Sequence, residues 1–229
     1  FYNYRMTQIP VLYENDEIYI INKPSGVSVQ GGKGISHPLD EEFSKQVGNK
    51  IHLVHRLDKD TAGLMIIAKS PEAASKWTKL ISSKQVQKTY TAWCFGSLKK
   101  KKGVINDTVI QHGESKTAVT NYQVMEEYDF AVEGEKEGEK TEKIHLSRIS
   151  LELQTGRMHQ IRIHLSKNNC PIIGDDTHGN FSLNKIVKKL LKIKTLQLYS
   201  VRLAVPINGK NLVFQVEDGF LVPEEFKKN

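Results

Sequence analysis

The sequence predicts a strand-rich α+β domain. Eight runs read as strands against three as helices. One run is apolar throughout, as a strand covered on both faces requires. One helix carries its own start signal. In chain order, Glu17–Asn22 is a short strand stopped by the turn Lys23-Pro24-Ser25-Gly26. Gly31–Gly34 is a loop, and Gly63–Ala68 (GLMIIA) is the continuously apolar strand. Ser70 and Pro71 then supply an N-cap and a first helical residue. Ala73, Ala74, Trp77, Leu80 and Ile81 recur at helical spacing after them, so one stripe faces a core. Val86–Phe95 alternates, with Lys88, Tyr90 and Ala92 on one face and Thr89, Thr91 and Trp93 on the other.

Further strands are expected at Val104–Gln111, Thr117–Glu126, Ile144–Leu153, Leu196–Val205 and Leu212–Val216. A short helix over Arg157–Ser166 is entered through Thr155-Gly156, and a basic one covers Leu183–Lys194. The low-complexity stretch Glu133–Lys143 reads as a solvated hairpin loop. No repeat and no long linker interrupts the chain, so the expectation is one domain with an excursion.

The 229 residues carry 33 Lys and Arg against 26 Asp and Glu, a net charge of +7. Glu133–Lys143 holds five Glu and three Lys, net −2, which leaves +9 on the rest. With a pI near 9.2 and a mean hydropathy of −0.44, this is a basic globular chain, suited first to a polyanion such as RNA or DNA and less strongly to an anionic membrane surface. No apolar run approaches the ~18 residues that span a bilayer, and Phe1–Thr7 has no secretory signal pattern. Cys94 and Cys170 read as free thiols of a reducing cytosol.

Common site motifs are absent. Gly31–Gly34 lacks the leading glycine and the Ser/Thr of a phosphate loop, and Gly26-Val27-Ser28-Val29 is followed by Gln30 rather than by the glycine of a nucleophile elbow. The pairs His52/His55 and His159/His164 sit in no metal-binding pattern, so no metal site is expected. Two clusters remain. His55-Arg56-Leu57-Asp58-Lys59-Asp60-Thr61 is a dense polar turn directly before the most apolar strand, a place where side chains are held at a rigid sheet edge. Asp58 and Asp60 suit catalysis there, and equally suit backbone hydrogen bonding within the turn. In the helix after Gly156, Met158, Ile161 and Leu165 form the expected buried stripe, with Arg162 at its edge, inward of where a free charge sits. Such an Arg either snorkels to water or needs a carboxylate partner, and Asp58, Asp60 and several Glu qualify. A carboxylate so paired stays ionised at neutral pH, ready as nucleophile or base.

His55–Lys69 (HRLDKDTAGLMIIAK), Lys88–Trp93 (KTYTAW) and Leu153–Leu165 (LQTGRMHQIRIHL) resemble the three signature blocks of the RluA-type pseudouridine synthases. Ile21–Val29 (INKPSGVSV) and Pro171–Gly179 (PIIGDDTHG) match two more landmarks in the right order. The resemblance spans about Val11 to Phe220. It implies a mixed, mainly antiparallel sheet with a central catalytic cleft flanked by helices, one catalytic domain over 10–222, and no RNA-binding domain ahead of it. It makes Asp58 the catalytic aspartate, Tyr90 the residue that stacks on the target uracil and the candidate for removing its C5 proton, Arg162 the partner of Asp58, and Arg56 the residue that enters the RNA where the uridine is extruded. Ala62 and Met158 depart from the family's usual Ser and Thr/Ser beside those positions.

The implied activity is isomerisation of specific uridines in transfer RNA, ribosomal RNA or both, without a cofactor, by a cytoplasmic monomer with no membrane partner. Lys99–Lys102 and Lys185, Lys188, Lys189, Lys192 and Lys194 are the phosphate-contact candidates. Two rivals make different predictions. A catalytically idle RNA-binding module of the same fold would bind RNA and change nothing. A metal-dependent nuclease using Asp58, Asp60, Asp175 and Asp176 would cut RNA and stop with EDTA.

Overall fold

The computed structural model describes residues 8–111, 113–132 and 142–220. The elements begin with β1 (Val11–Glu14), β2 (Ile18–Lys23), α1 (Leu39–Val47), β3 (His52–Leu53), β4 (Ala62–Ala68) and α2 (Pro71–Ser82). They continue with β5 (Gln87–Phe95), β6 (Lys102–Gln111), β7 (Glu114–Val132), β8 (Glu142–Leu153), α3 (Gln160–Lys167), α4 (Phe181–Leu190), β9 (Leu198–Ile207) and β10 (Lys210–Gln215). The class is the expected α+β, with a mixed and mostly antiparallel strand arrangement. The chain divides into two compact units, one made of residues 1–89 and 199–218, the other of 90–198 and 219–229.

In the first unit the strands lie in the order β1-β2-β4-β9. The apolar β4 is buried from Gly63 to Ala68, as its composition requires. It pairs antiparallel with β2, from Ile18↔Ala68 to Lys23↔Gly63. Helix α2 begins as expected, with Ser70 Oγ accepting from Ala73 N at 3.1 Å. Its Ala73 and Trp77 close over Ile18, Ile20, Leu64, Ile66, Leu203 and Val205. Trp77 also donates Nε1 to Glu17 at 2.9 Å, so its one polar group is satisfied. Truncating a core tryptophan of this kind costs about 3–5 kcal/mol.

The parallel contact between β4 and β9 is brief, Ala62↔Tyr199 and Gly63↔Ser200. Beyond it β9 turns to an antiparallel ladder with β10. Gly63 adopts φ 110°, and a Cβ there would lie 2.3 Å from Ser200 O and 2.7 Å from Ser200 N. Only glycine lets β9 approach at this point. Helix α1 has no counterpart among the expected elements. Pro38 precedes it without a side-chain cap, and only Leu39 and Phe43 are buried, so its apolar signal is two residues one turn apart. Asp40, Glu41 and Glu42 in its first turn and the left-handed Gly48 at its end favour it instead.

In the second unit the order is β5-β8-β7-β6. The β6–β7 ladder runs from Lys102↔Gln123 to Gln111↔Glu114. Strand β7 is much longer than the expected Thr117–Glu126, and a bulge between Val124 and Glu126 absorbs a register shift against β8. Trp93 stacks on Phe220 at 4.3 Å and on Tyr128 at 5.9 Å, in a core with Phe95, Ile144, Leu146, Ile173 and Val187. Cys94 and Cys170 are free, as expected, and both buried. They are also neighbours. Burial pushes the Cys94 thiol well up, with Cys170 adding to it, while the bond from Cys94 brings Cys170 down.

Both predicted later helices shift. Helix α3 starts at Gln160 rather than Arg157, because His159 takes a left-handed φ of 52°. Met158 therefore lies outside the helix and is 54% exposed, not part of a buried stripe. Helix α4 starts at Phe181, because Asn180 Oδ1 accepts from Leu183 N. It ends at Leu190, so Lys192 and Lys194 follow the helix rather than extend it. The expected loop Glu133–Lys143 lies outside the described residues as far as Thr141. Among the described residues no helix is long and apolar enough to cross a membrane.

Candidate active site

The polar turn of the first unit is built around Asp58. Leu57 and Thr61 are buried, Arg56, Lys59 and Asp60 are exposed, and Asp58 is half-buried between them. Thr61 N donates to Asp58 O at 3.2 Å and closes the turn into β4. Upstream, β3 pairs with the end of β4. His55 continues that pairing with its ring, Nε2 accepting from Ile66 N at 3.0 Å where a carbonyl would otherwise stand. Burial, and then the charge of Lys88, push the His55 ring well below its ordinary pKa, so it is a neutral acceptor.

The turn is fastened from the other side by Lys23, which the pairing of β2 with β4 sets opposite Gly63. Its fully buried ammonium donates to Pro24 O, Val27 O and Lys59 O, each at 2.9 Å. Burial pushes Lys23 down to about 8, against the opposing pull of Asp60 and then Asp58. Ser25 Oγ adds a bond to Asp60 O at 2.8 Å. The carboxylate of Asp58 thus sits on a segment held at His55, Lys59 and Asp60, with a buried cation nearby.

The second unit holds Arg162 and Tyr90. Arg162 is 6% exposed, inward as its helical position predicts. It donates Nε to Asp175 Oδ2 and Nη2 to Asp175 Oδ1, both at 2.8 Å, a planar two-bond pair. Asp175 Oδ1 also accepts from Thr177 N and His178 N at 2.9 Å. Burial pushes the Asp175 carboxyl up, but Arg162 and the two amides outweigh it and hold it below the usual carboxylate range. The charge argument did not name Asp175 as a partner of Arg162.

The approach to α3 is pinned by Gln160. Its amide donates Nε2 to Val119 O at 3.0 Å and to Thr120 Oγ1 at 2.9 Å. Its Oε1 accepts from Thr155 Oγ1 at 2.8 Å and from Arg157 N at 3.1 Å. Tyr90 opens the buried part of β5 and is 6% exposed. Lys88, two residues before it on the same strand face, is pushed down to about 8 by burial.

Asp58 and Arg56 therefore share one turn of the first unit, and Tyr90 and Arg162 belong to the second. Sequence reasoning missed Lys23, Gln160, Asp175 as the clamp on Arg162, and the His159–His178 contact, Nδ1 to Nε2 at 3.0 Å. A lysine directly after an apolar strand and before proline was a usable signal for Lys23. The others depend on contacts between segments far apart in sequence.

Known proteins resemble this chain in sequence and fold. The sequence model of the RNA pseudouridylate synthase family matches residues 17–167. The ribosomal large subunit pseudouridine synthase C of Rickettsia felis is 31% identical over 238 residues, covering 97% of this chain and 72% of its own. The ribosomal large subunit pseudouridine synthase D of Blochmanniella floridana is 35% identical over 200 residues, covering 78% of this chain and 56% of its own. Among solved structures, human RNA pseudouridylate synthase domain containing 1 superposes with a TM-score of 0.73 at 20% identity, over 93% of this chain and 85% of that one, a likeness of fold. Sequence blocks, fold and family match converge, and the chain belongs to the RNA pseudouridylate synthases, isomerases that act on RNA, in their RluA-type branch.

Proposed function

We propose that this chain isomerises specific uridines of RNA to pseudouridine through Asp58. Large-subunit ribosomal RNA is the first substrate to try, since relatives at 31% and 35% identity are named for it, and transfer RNA is the second. The observation that carries the reading is the Asp58 turn. A half-exposed carboxylate sits on a segment held by Lys23 and His55, in the turn that leads into a strand buried from Gly63 to Ala68. That is the rigid placement a reacting group requires. The reaction breaks N1–C1′, turns the uracil, joins C5 to C1′, and moves the C5 proton away while N1 gains one. Nothing is oxidised and no group enters, so the balance requires no cofactor. Asp58 serves as nucleophile at C1′ or as base on the sugar. Tyr90 stacks on the uracil and Arg162 steadies the Asp58 carboxylate. Arg56, exposed beside Asp58, fills the gap left by the extruded base, which offsets an unstacking cost of a few kcal/mol.

The test is Asp58→Asn, assayed by carbodiimide labelling and primer extension on ribosomal and transfer RNA, with binding followed separately. The expected outcome is no pseudouridine with RNA binding retained. Isomerisation by the variant removes Asp58 from the mechanism. An unaltered chain that binds RNA and makes no pseudouridine is the idle module, and EDTA-sensitive strand cleavage is the nuclease.

A further inference from the structure

Helix α4 carries an aromatic side chain that the core does not use. Phe181 is 67% exposed, although the helix buries Val187 and packs Leu183 and Ile186 against the Trp93 core. It is not on a loose end. Asn180 caps the helix, and Asn184 one turn on bonds Gly174 N at 2.9 Å and Asp175 O at 3.1 Å. The Phe181 ring is therefore held on a rigid element next to the loop that clamps Arg162. Lys185 reaches back one turn and sets its ammonium 5.4 Å from the ring centroid. Phe181, Lys185 and Lys188 stand at i, i+4 and i+7, one exposed stripe about 10 Å long. From Asn180 to Lys194 there is no acidic residue and there are five lysines, all exposed.

We propose that this stripe binds single-stranded RNA, with a base stacked on Phe181 and the adjacent phosphates on Lys185 and Lys188. The inference rests on the RNA-modifying function proposed above and adds a second contact to it. A rigid, solvent-facing ring with cations on its own helix face is the pairing that unpaired nucleic acid requires, because every base has a π-face and every nucleotide a phosphate. A second copy of this chain is a poor occupant, since a two-fold contact on this face would set five lysines against five.

The test measures anisotropy of a labelled oligouridylate of about 12 nucleotides, with an RNA duplex of equal length as control. Phe181→Ala is expected to weaken oligouridylate binding roughly 5- to 100-fold, the equivalent of one lost base stack. It should change duplex binding little, and Phe181→Trp should restore binding. Trp77 and Trp93 are 1% and 2% exposed, so the new indole is the exposed one, and its emission should be quenched when RNA binds. Lys185→Ala should lower the salt slope of single-strand binding by about 0.7, whereas Phe181→Ala should leave that slope unchanged. Equal oligouridylate affinity for Phe181→Ala, or an unquenched Phe181→Trp with RNA bound, overturns the proposal. So does a Phe181→Ala change in sedimentation from dimer to monomer without a change in RNA affinity. Pseudouridine formation by the unaltered chain together with an inert Phe181 sinks only this inference; no pseudouridine with the Phe181 effect intact sinks only the activity.

Discussion

Asp175→Ala tests whether Arg162 is held by a buried ion pair. The pair makes two bonds of 2.8 Å, with side chains 6% and 1% exposed. Removing the carboxylate leaves a guanidinium in a poorly solvated site and deprives the Thr177 and His178 amides of their acceptor. Breaking one side of such a pair costs about 3–5 kcal/mol. At roughly 2–4 °C per kcal/mol for a chain of this size, about 4 kcal/mol lowers Tm by ~8–16 °C. Asp175→Asn keeps the shape and an acceptor but not the charge, and should fall between. Arg162→Met combined with Asp175→Leu should cost less than Asp175→Ala alone, because the guanidinium that loses its two Asp175 bonds is removed with them. Because the native carboxyl lies below its ordinary value, the pair's contribution is present above pH ~4 and is lost as pH falls through the native pKa. The loss in Asp175→Ala should then be the same at pH 6 and pH 8. Urea denaturation followed by fluorescence reads this directly, since Trp93 lies in the same unit as the pair. A midpoint equivalent to less than ~1 kcal/mol of change, or a double variant worse than the single, would refute the buried-pair argument.

Gly63→Ala should prevent folding of the first unit, because its Cβ would meet Ser200 backbone at 2.3 Å rather than a movable side chain; soluble protein with wild-type circular dichroism would refute this. His164 is fully buried, with neither ring nitrogen bonded. Burial pushes its pKa down, Asp107 opposes that, and Lys167 adds to it. The native ring stays neutral while the unfolded one takes a proton, so stability falls as pH drops below about 6.5, by at most ~1.4 kcal/mol per pH unit. His164→Leu should flatten that slope between pH 7 and 5 in urea titrations, with His55 supplying what remains; an unchanged slope would exclude His164 as its source.

Local chemistry was readable where it decides the outcome alone. The Ser70-Pro71 start, the double-sided burial of β4 and the inward Arg162 all follow from side-chain type and spacing, and the structure has them. The start of α3 was not readable, because it depends on His159 adopting a left-handed backbone that few residues other than glycine take. Nor was the end of α4, where lysines continue a helical pattern that the backbone leaves. In the candidate site, spacing singled out an inward Arg162 and left Asp58 and Asp60 level, with the family resemblance favouring Asp58, yet Gln160 and Asp175 become legible only when a strand 41 residues from Gln160 and a loop 13 residues from Arg162 close upon them. Charge counting ranks every acidic residue alike, and packing chooses one.

The first unit takes residues 1–89 and then 199–218, with the second unit's main segment between them. That interleaving sets an order of events on the ribosome. When the Asp58 turn emerges, Ser200, the strand neighbour that Gly63 is shaped for, has not been made. At ~5–20 residues per second the missing strands follow on the order of 10 s later. Through that interval β2, β4 and α2 are a partial sheet with an open edge, while the β6–β7 and β7–β8 hairpins of the second unit have both partners already made, with Phe220 still to join the Trp93 core. A chain stalled before residue 199 therefore carries the Asp58 turn with its Lys23 and His55 anchors, but with Gly63 still facing solvent where the Ser200 backbone belongs.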